Sequence, residues 1–144
     1  REFGVQCRFR SIRHGATMAA SKKYEIAVSA LPQYIAEQSD PARDNYVFAY
    51  TISIENVGTV AAQLVSRHWV ITDATGEVQE VRGLGVVGRQ PLLQPGEKFA
   101  YTSGCQLDTP VGTMRGSYQF TAVDGQQFEA EIPVFTLAVP HVLH

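Results

Sequence analysis

No window of a dozen residues in this chain repeats apolar side chains at helical spacing without a proline or glycine breaking it. A helical core is therefore excluded from the outset. Alternation takes the place of helical period. In Tyr46–Asn56, Phe48, Tyr50, Ile52 and Ile54 fall on one face while Thr51, Ser53 and Glu55 fall on the other, the pattern of a strand with one wet side. Tyr24–Leu31, with Ile26 and Val28 inward, reads the same way, as do Leu64–Asp73, Glu77–Arg82, Lys98–Ser103, Ser117–Val123 and Gln127–Thr136. In the last run Phe128, Ala130, Ile132 and Val134 alternate with Glu129 and Glu131. Turn residues separate these runs, among them Ser39-Asp40-Pro41, Asn56-Val57-Gly58, Pro95-Gly96 and Asp124-Gly125. Asp124-Gly125 predicts a tight hairpin. Ile35–Gln38 has room for one helical turn at most.

About seven short strands at this spacing predict an all-β fold, an antiparallel sandwich of the immunoglobulin or fibronectin type III kind. Trp69, the single tryptophan, lies mid-strand with Ile71 on its face and His68, Val70 and Thr72 opposite. Such sandwiches place a core tryptophan at that point. Leu93-Gln94-Pro95-Gly96-Glu97-Lys98-Phe99 resembles the Leu-x-Pro-Gly-x-x-Tyr corner of fibronectin domains, but Phe99 supplies no hydroxyl for the corner hydrogen bond.

A length of 144 residues suits one domain, and a 44% hydrophobic share suffices for a core and excludes disorder. No stretch approaches the roughly 18 consecutive apolar residues of a membrane-spanning helix, so no membrane insertion is expected. Residues 1–17 carry Arg1, Arg8, Arg10 and Arg13 against Glu2, a net +3; residues 18–144 carry 8 Lys/Arg and 13 Asp/Glu, a net −5. The first segment has no strand or helix period and lacks the apolar stretch of a secretory signal. It is expected to be a non-native or disordered leader, a cloning remnant rather than an Arg-rich transit peptide, before a single domain over 18–144. The acidic body excludes a nucleic-acid partner, because phosphate binding is driven by clustered Lys and Arg. Cys7 lies in the leader, which leaves Cys105 alone in the body, without the means for an internal disulfide or a Cys-rich zinc site. A reduced, cytoplasmic protein is expected.

Gly83-Leu84-Gly85-Val86-Val87-Gly88 matches G-x-G-x-x-G. That string binds a dinucleotide only when a helix follows it, and Pro91 and Pro95 forbid the helix. Two weaker readings remain. The glycines can serve as a strand bulge or crossover. Alternatively, Gly83, Gly85 and Gly88, flanked by Arg82 and Arg89, form a candidate nest for a phosphate-type anion. The sparse histidines offer no metal-ligand spacing; Glu129 and Glu131 read as a solvated face, and no metal site or cofactor is expected. Ser103-Gly104-Cys105 lacks a nucleophile elbow and an activating base. No catalytic residue is assigned, and the chain is expected not to be an enzyme. Arg67, His68 and Arg115, set among aromatic residues in an acidic body, are candidates for binding a partner.

Many of these residues together resemble the ApaG family. The resemblance covers residues 24–143 and rests on Glu37-Gln38-Ser39, Phe48-Ala49-Tyr50-Thr51-Ile52, Ile54-Glu55-Asn56, Ser66-Arg67-His68-Trp69, Val81-Arg82-Gly83, Gly85-Val86-Val87-Gly88, Gln90-Pro91, Pro95-Gly96, Tyr101-Thr102-Ser103-Gly104, Gly112, Met114 and Gly116-Ser117-Tyr118. Leu84 departs from the polar or acidic residue usual between the first two glycines. The resemblance implies a fibronectin-III-like sandwich of bacterial, cytoplasmic origin, linked by name to cobalt resistance and magnesium efflux. Related domains in eukaryotic F-box and polymerase-delta-interacting proteins imply a module that recognises protein partners. The expected function is accordingly a non-enzymatic module for protein–protein interaction, indirectly linked to divalent-cation homeostasis. Anion binding at the glycine string and direct Mg²⁺ or Co²⁺ binding are the alternatives. Open edge strands leave a homodimer as a further expectation.

Overall fold

The structure is a computed structural model that describes residues 3–11 and 22–140. Within them lie nine strands, β1 (Phe3–Ser11), β2 (Ile26–Tyr34), β3 (Tyr46–Asn56), β4 (Ala62–Asp73), β5 (Val78–Leu84), β6 (Leu92–Leu93), β7 (Glu97–Leu107), β8 (Val111–Ala122) and β9 (Gln127–Ala138). Every pairing is antiparallel. One sheet has the order β1-β7-β3-β2 and the other β5-β4-β8-β9, with β6 attached to β4. The predicted sandwich is thus present, its expected strands being β2–β5 and β7–β9. Single 3₁₀ turns at Ala36–Gln38 and Pro41–Arg43 are the only helical elements among the described residues.

The expected leader over 1–17 lies partly outside the described residues. Its described part, expected to carry no strand period, forms β1, paired with β7 from Phe3 opposite Gly104 to Ser11 opposite Glu97, and its sequence does alternate, Phe3, Val5, Cys7 and Phe9 against Gly4, Gln6, Arg8 and Arg10. This is the place beside the second sheet neighbour that a fourth strand takes in immunoglobulin constant domains. That two-residue period is the ordinary signal of a strand, and it corrects the expectation of a segment without one.

The core lies between the sheets and is centred on Trp69, which is fully buried. Its indole meets Tyr50 of the facing sheet at 5.3 Å between ring centroids, and Phe135 and Tyr118 edge-on at 6.0 and 6.3 Å. Such pairs add about 0.5–1.5 kcal/mol each beyond their buried area. The buried hydroxyls of Tyr101 and Tyr118 share a hydrogen bond from one sheet to the other. Cys105 is a buried filler of the same core.

Two local shifts alter the faces read from alternation. Between Leu64 and Ser66 the β4–β8 register slips, so Leu64 is inward although it is out of phase with Trp69. Between Met114 and Gly116 the β8–β9 register slips as well. Pro133 lies in that irregular stretch, where no ladder donor is needed. Val134, expected inward, is exposed, and Phe135 enters the core in its place.

The corner at Leu93–Phe99 holds without a tyrosine. The side chain of Asn56, almost wholly buried, donates through Nδ2 to the carbonyls of Val60 and Leu93, both at 2.9 Å, and accepts from the Gly58 N–H. Its own carbonyl accepts from Gly96 N–H. One amide therefore ties the β3–β4 turn to the segment that leads into β7.

Candidate functional site

The glycine string is the hairpin turn that follows β5. Val86 and Arg89 exchange backbone hydrogen bonds at 2.8 and 2.9 Å. Val87 and Gly88 between them both have positive φ, 44° and 79°, the requirement of a type I′ turn. Gly85, with φ 63°, has the Arg89 carbonyl oxygen where a Cβ would stand, 2.2 Å away. Gly85 and Gly88 thus answer a backbone demand. The Gly85 N–H donates to the Val65 carbonyl, and those of Val86 and Arg89 close the turn. These are donors that an anion nest would have used. No helix follows; the chain passes into β6.

Arg67, expected to meet a partner, is turned to the inner side of β4, in phase with Trp69. Its Nη1 donates to the carbonyls of Leu84 at 3.1 Å and Gly85 at 2.9 Å. It is a strut under the turn.

The other candidates come together on the outer face of the β5-β4-β8-β9 sheet. The register sets Arg82 opposite His68, His68 opposite Ser117, and Ser117 opposite Glu131. The adjacent row is Glu80, Val70 and Arg115. On the other side lies the row Leu84, Ser66, Gln119 and Glu129. Directly opposed residues share a face, so these rows make one continuous surface. His68 Nε2 is 2.7 Å from Glu80 Oε1, and Arg82 Nη2 is 3.7 Å from the same oxygen. The hydrogen bond from His68 holds the Glu80 carboxyl below the usual carboxylate range, helped by the charges of His68, Arg82 and Arg115. Ser66 Oγ donates to Gln119 Oε1, and Gln119 Nε2 donates to Ser117 Oγ at 2.8 Å and Glu129 Oε2 at 3.2 Å.

A shallow groove runs across this surface, lined by His68, Val70, Arg115, Ser117, Glu129 and Glu131 and flanked by the exposed Val134. Sequence reasoning picked out His68 and Arg115 but not Glu80, Gln119 or Val134, which carry no motif and become neighbours only through register. Arg89 lies apart, at the end of the turn. Among the described residues no group of three or more His, Cys, Asp and Glu could hold a metal ion, and no helix is long and apolar enough to cross a membrane.

The ApaG domain family model matches residues 36–122. The chain belongs to the ApaG domain family. A protein named ApaG from Thiobacillus denitrificans is 71% identical over 127 residues, 88% of this chain and 100% of the relative. The ApaG protein of Dechloromonas aromatica is 65% identical over the same proportions. A crystal structure designated ApaA, from Bordetella pertussis, superposes with a TM-score of 0.83 at 57% identity, covering 85% of this chain and 100% of that one. The ApaG fold described here is therefore shared with bacterial relatives along nearly their whole length.

Proposed function

We propose that this ApaG domain is a non-enzymatic module that binds a protein partner through the outer face of the β5-β4-β8-β9 sheet. The carrying observation is the groove in which His68, Arg115 and the exposed Val134 lie together, with Glu80 hydrogen-bonded to His68 beside it. Mixed charge beside an apolar side chain suits recognition of a protein surface. A link to cobalt and magnesium handling in the cytoplasm, implied by the family resemblance, would run through that partner, because the groove offers a cation no convergent set of ligands.

The test is capture from extract of the native host with the unaltered chain and with Arg115→Glu. A protein retained reproducibly by the first and lost with the second supports the reading. Equal retention by both, or no retained protein, removes it. A melting temperature that rises with millimolar Mg²⁺ or Co²⁺ would instead indicate a bound cation.

A further inference from the structure

A sandwich of this kind has open sheet edges, and most of them here carry devices against strand addition. β2 has Pro32 in mid-strand, where a donor is missing. β9 has Pro133 and an interrupted register. β5 alternates the exposed charges of Glu80 and Arg82 and ends in the glycine turn. Charges, prolines and bulges are the usual protection of an edge.

β7 has neither a proline nor a bulge against β3, and its charges, Glu97 and Lys98, stand only at its first two positions. It runs from Glu97 to Leu107 without proline, and its register with β3 is continuous from Tyr46 opposite Leu107 to Glu55 opposite Lys98. Its buried Phe99 and Tyr101 alternate with residues on the outer face. This unprotected edge is the one already occupied, by β1. The occupant comes from the segment of net +3, and the body it joins has net −5. β7 lies within the family match at 36–122, whereas β1 lies outside it.

We propose that the edge of β7 is a strand-acceptor site for a basic, extended peptide segment of a partner protein, and that residues 3–11 hold it in cis. Backbone hydrogen bonds supply the affinity and alternate side-chain positions supply the selectivity, as in other strand additions. The favoured peptide has apolar residues opposite Phe99 and Tyr101, the positions that Phe9 and Cys7 take in the register. This deepens the interaction reading by adding a second surface, remote from the Arg115 groove.

The probe is a fluorescent peptide with the sequence of residues 1–13, Cys7→Ser, added to the full chain. Arg8→Pro, made together with Phe9→Pro so that a β1 donor is lost whichever phase faces β7, releases the edge; in this Arg8→Pro chain Trp69 emission reports that the sandwich is intact. Binding to the Arg8→Pro chain is expected to be at least about tenfold tighter than to the unaltered chain, where the cis segment competes at high effective concentration. Two further peptides carry N-methyl groups at alternate backbone nitrogens, in the two complementary phases. Only the phase whose N–H groups face β7 should lose binding. Equal effects of the two phases, or equal binding to both chains, overturn the proposal in favour of charge attraction. A dimeric Arg8→Pro chain that ignores the peptide overturns it in favour of a second copy. Either failure leaves the Arg115 groove untouched, because that test reads the other sheet.

Discussion

A Cβ placed on Gly83 would fall 2.8 Å from Nη1 of Arg67. The guanidinium lies over the bare backbone of β5 and from there reaches the carbonyls of Leu84 and Gly85. The glycine run seats an arginine beneath a strained turn. Val87, β-branched with φ 44°, is an unfavourable residue for that turn, and the strut helps to hold it.

Gly83→Ala and Gly85→Ala should differ in cost. At Gly83 the obstacle is the far end of a flexible side chain; at Gly85 it is the Arg89 carbonyl at 2.2 Å, with φ 63° besides. Gly85→Ala is expected to lower stability by about 2–3 kcal/mol and Gly83→Ala by about 1 kcal/mol or less. Urea unfolding followed by Trp69 emission measures both, and a larger loss at Gly83 would contradict the steric account.

Asn56→Ala removes three side-chain hydrogen bonds and leaves the Leu93 and Val60 carbonyls without that donor. The expected loss is on the order of 2–4 kcal/mol. Asn56→Asp keeps the acceptor for Gly58 but not the donors, and should be comparably destabilised. Thermal unfolding of the two variants settles whether the donor side is the important one.

Trp69 has no solvent exposure, so its emission should be blue-shifted and insensitive to iodide in the native state, and red-shifted on unfolding. Trp69→Ala should cost about 3–5 kcal/mol. Strong native-state iodide quenching would be incompatible with a core position.

Stability should decline in acid. Glu80 is held low chiefly by the His68 hydrogen bond, Asp73 by Thr75, and Asp124 by Tyr24. For each the unfolded chain binds its proton at higher pH than the folded one. The stabilisation is therefore complete above the ordinary carboxylate range and is lost as pH falls through the depressed folded values. Urea midpoints between neutral pH and about pH 3 should fall, and the fall should be shallower in Asp124→Asn, which abolishes the titration. An unchanged slope would remove Asp124 from the account.

Much of this architecture is legible in local pattern. Two-residue alternation places Phe48, Tyr50, Ile52 and Ile54 on one face, and the Asp124-Gly125 turn emerges where β8 meets β9, with the Gln126 N–H bonded to Asp124 Oδ1. The candidate site is less legible. Arg67 and His68 are adjacent in sequence and look equivalent as partner-binding residues, yet one is a strut and the other faces the groove. The difference is one step of strand alternation counted from the buried Trp69; what alternation does not supply is the pair of carbonyls, Leu84 and Gly85, that Arg67 meets on its side.

Turn chemistry and alternation are local, acting over a few residues. They are enough to require strands, an all-β sandwich and a central Trp69, and the prolines after the glycine string are enough to forbid a nucleotide-binding helix. Which strands become neighbours, and in what register, depends on contacts between residues far apart in the chain. The meeting of Glu80, His68 and Arg115, the exchange of Val134 for Phe135, and the capture of β7 by residues 3–11 all arise there. Each is a consequence of cross-strand pairing, a non-local energy that no window of sequence contains.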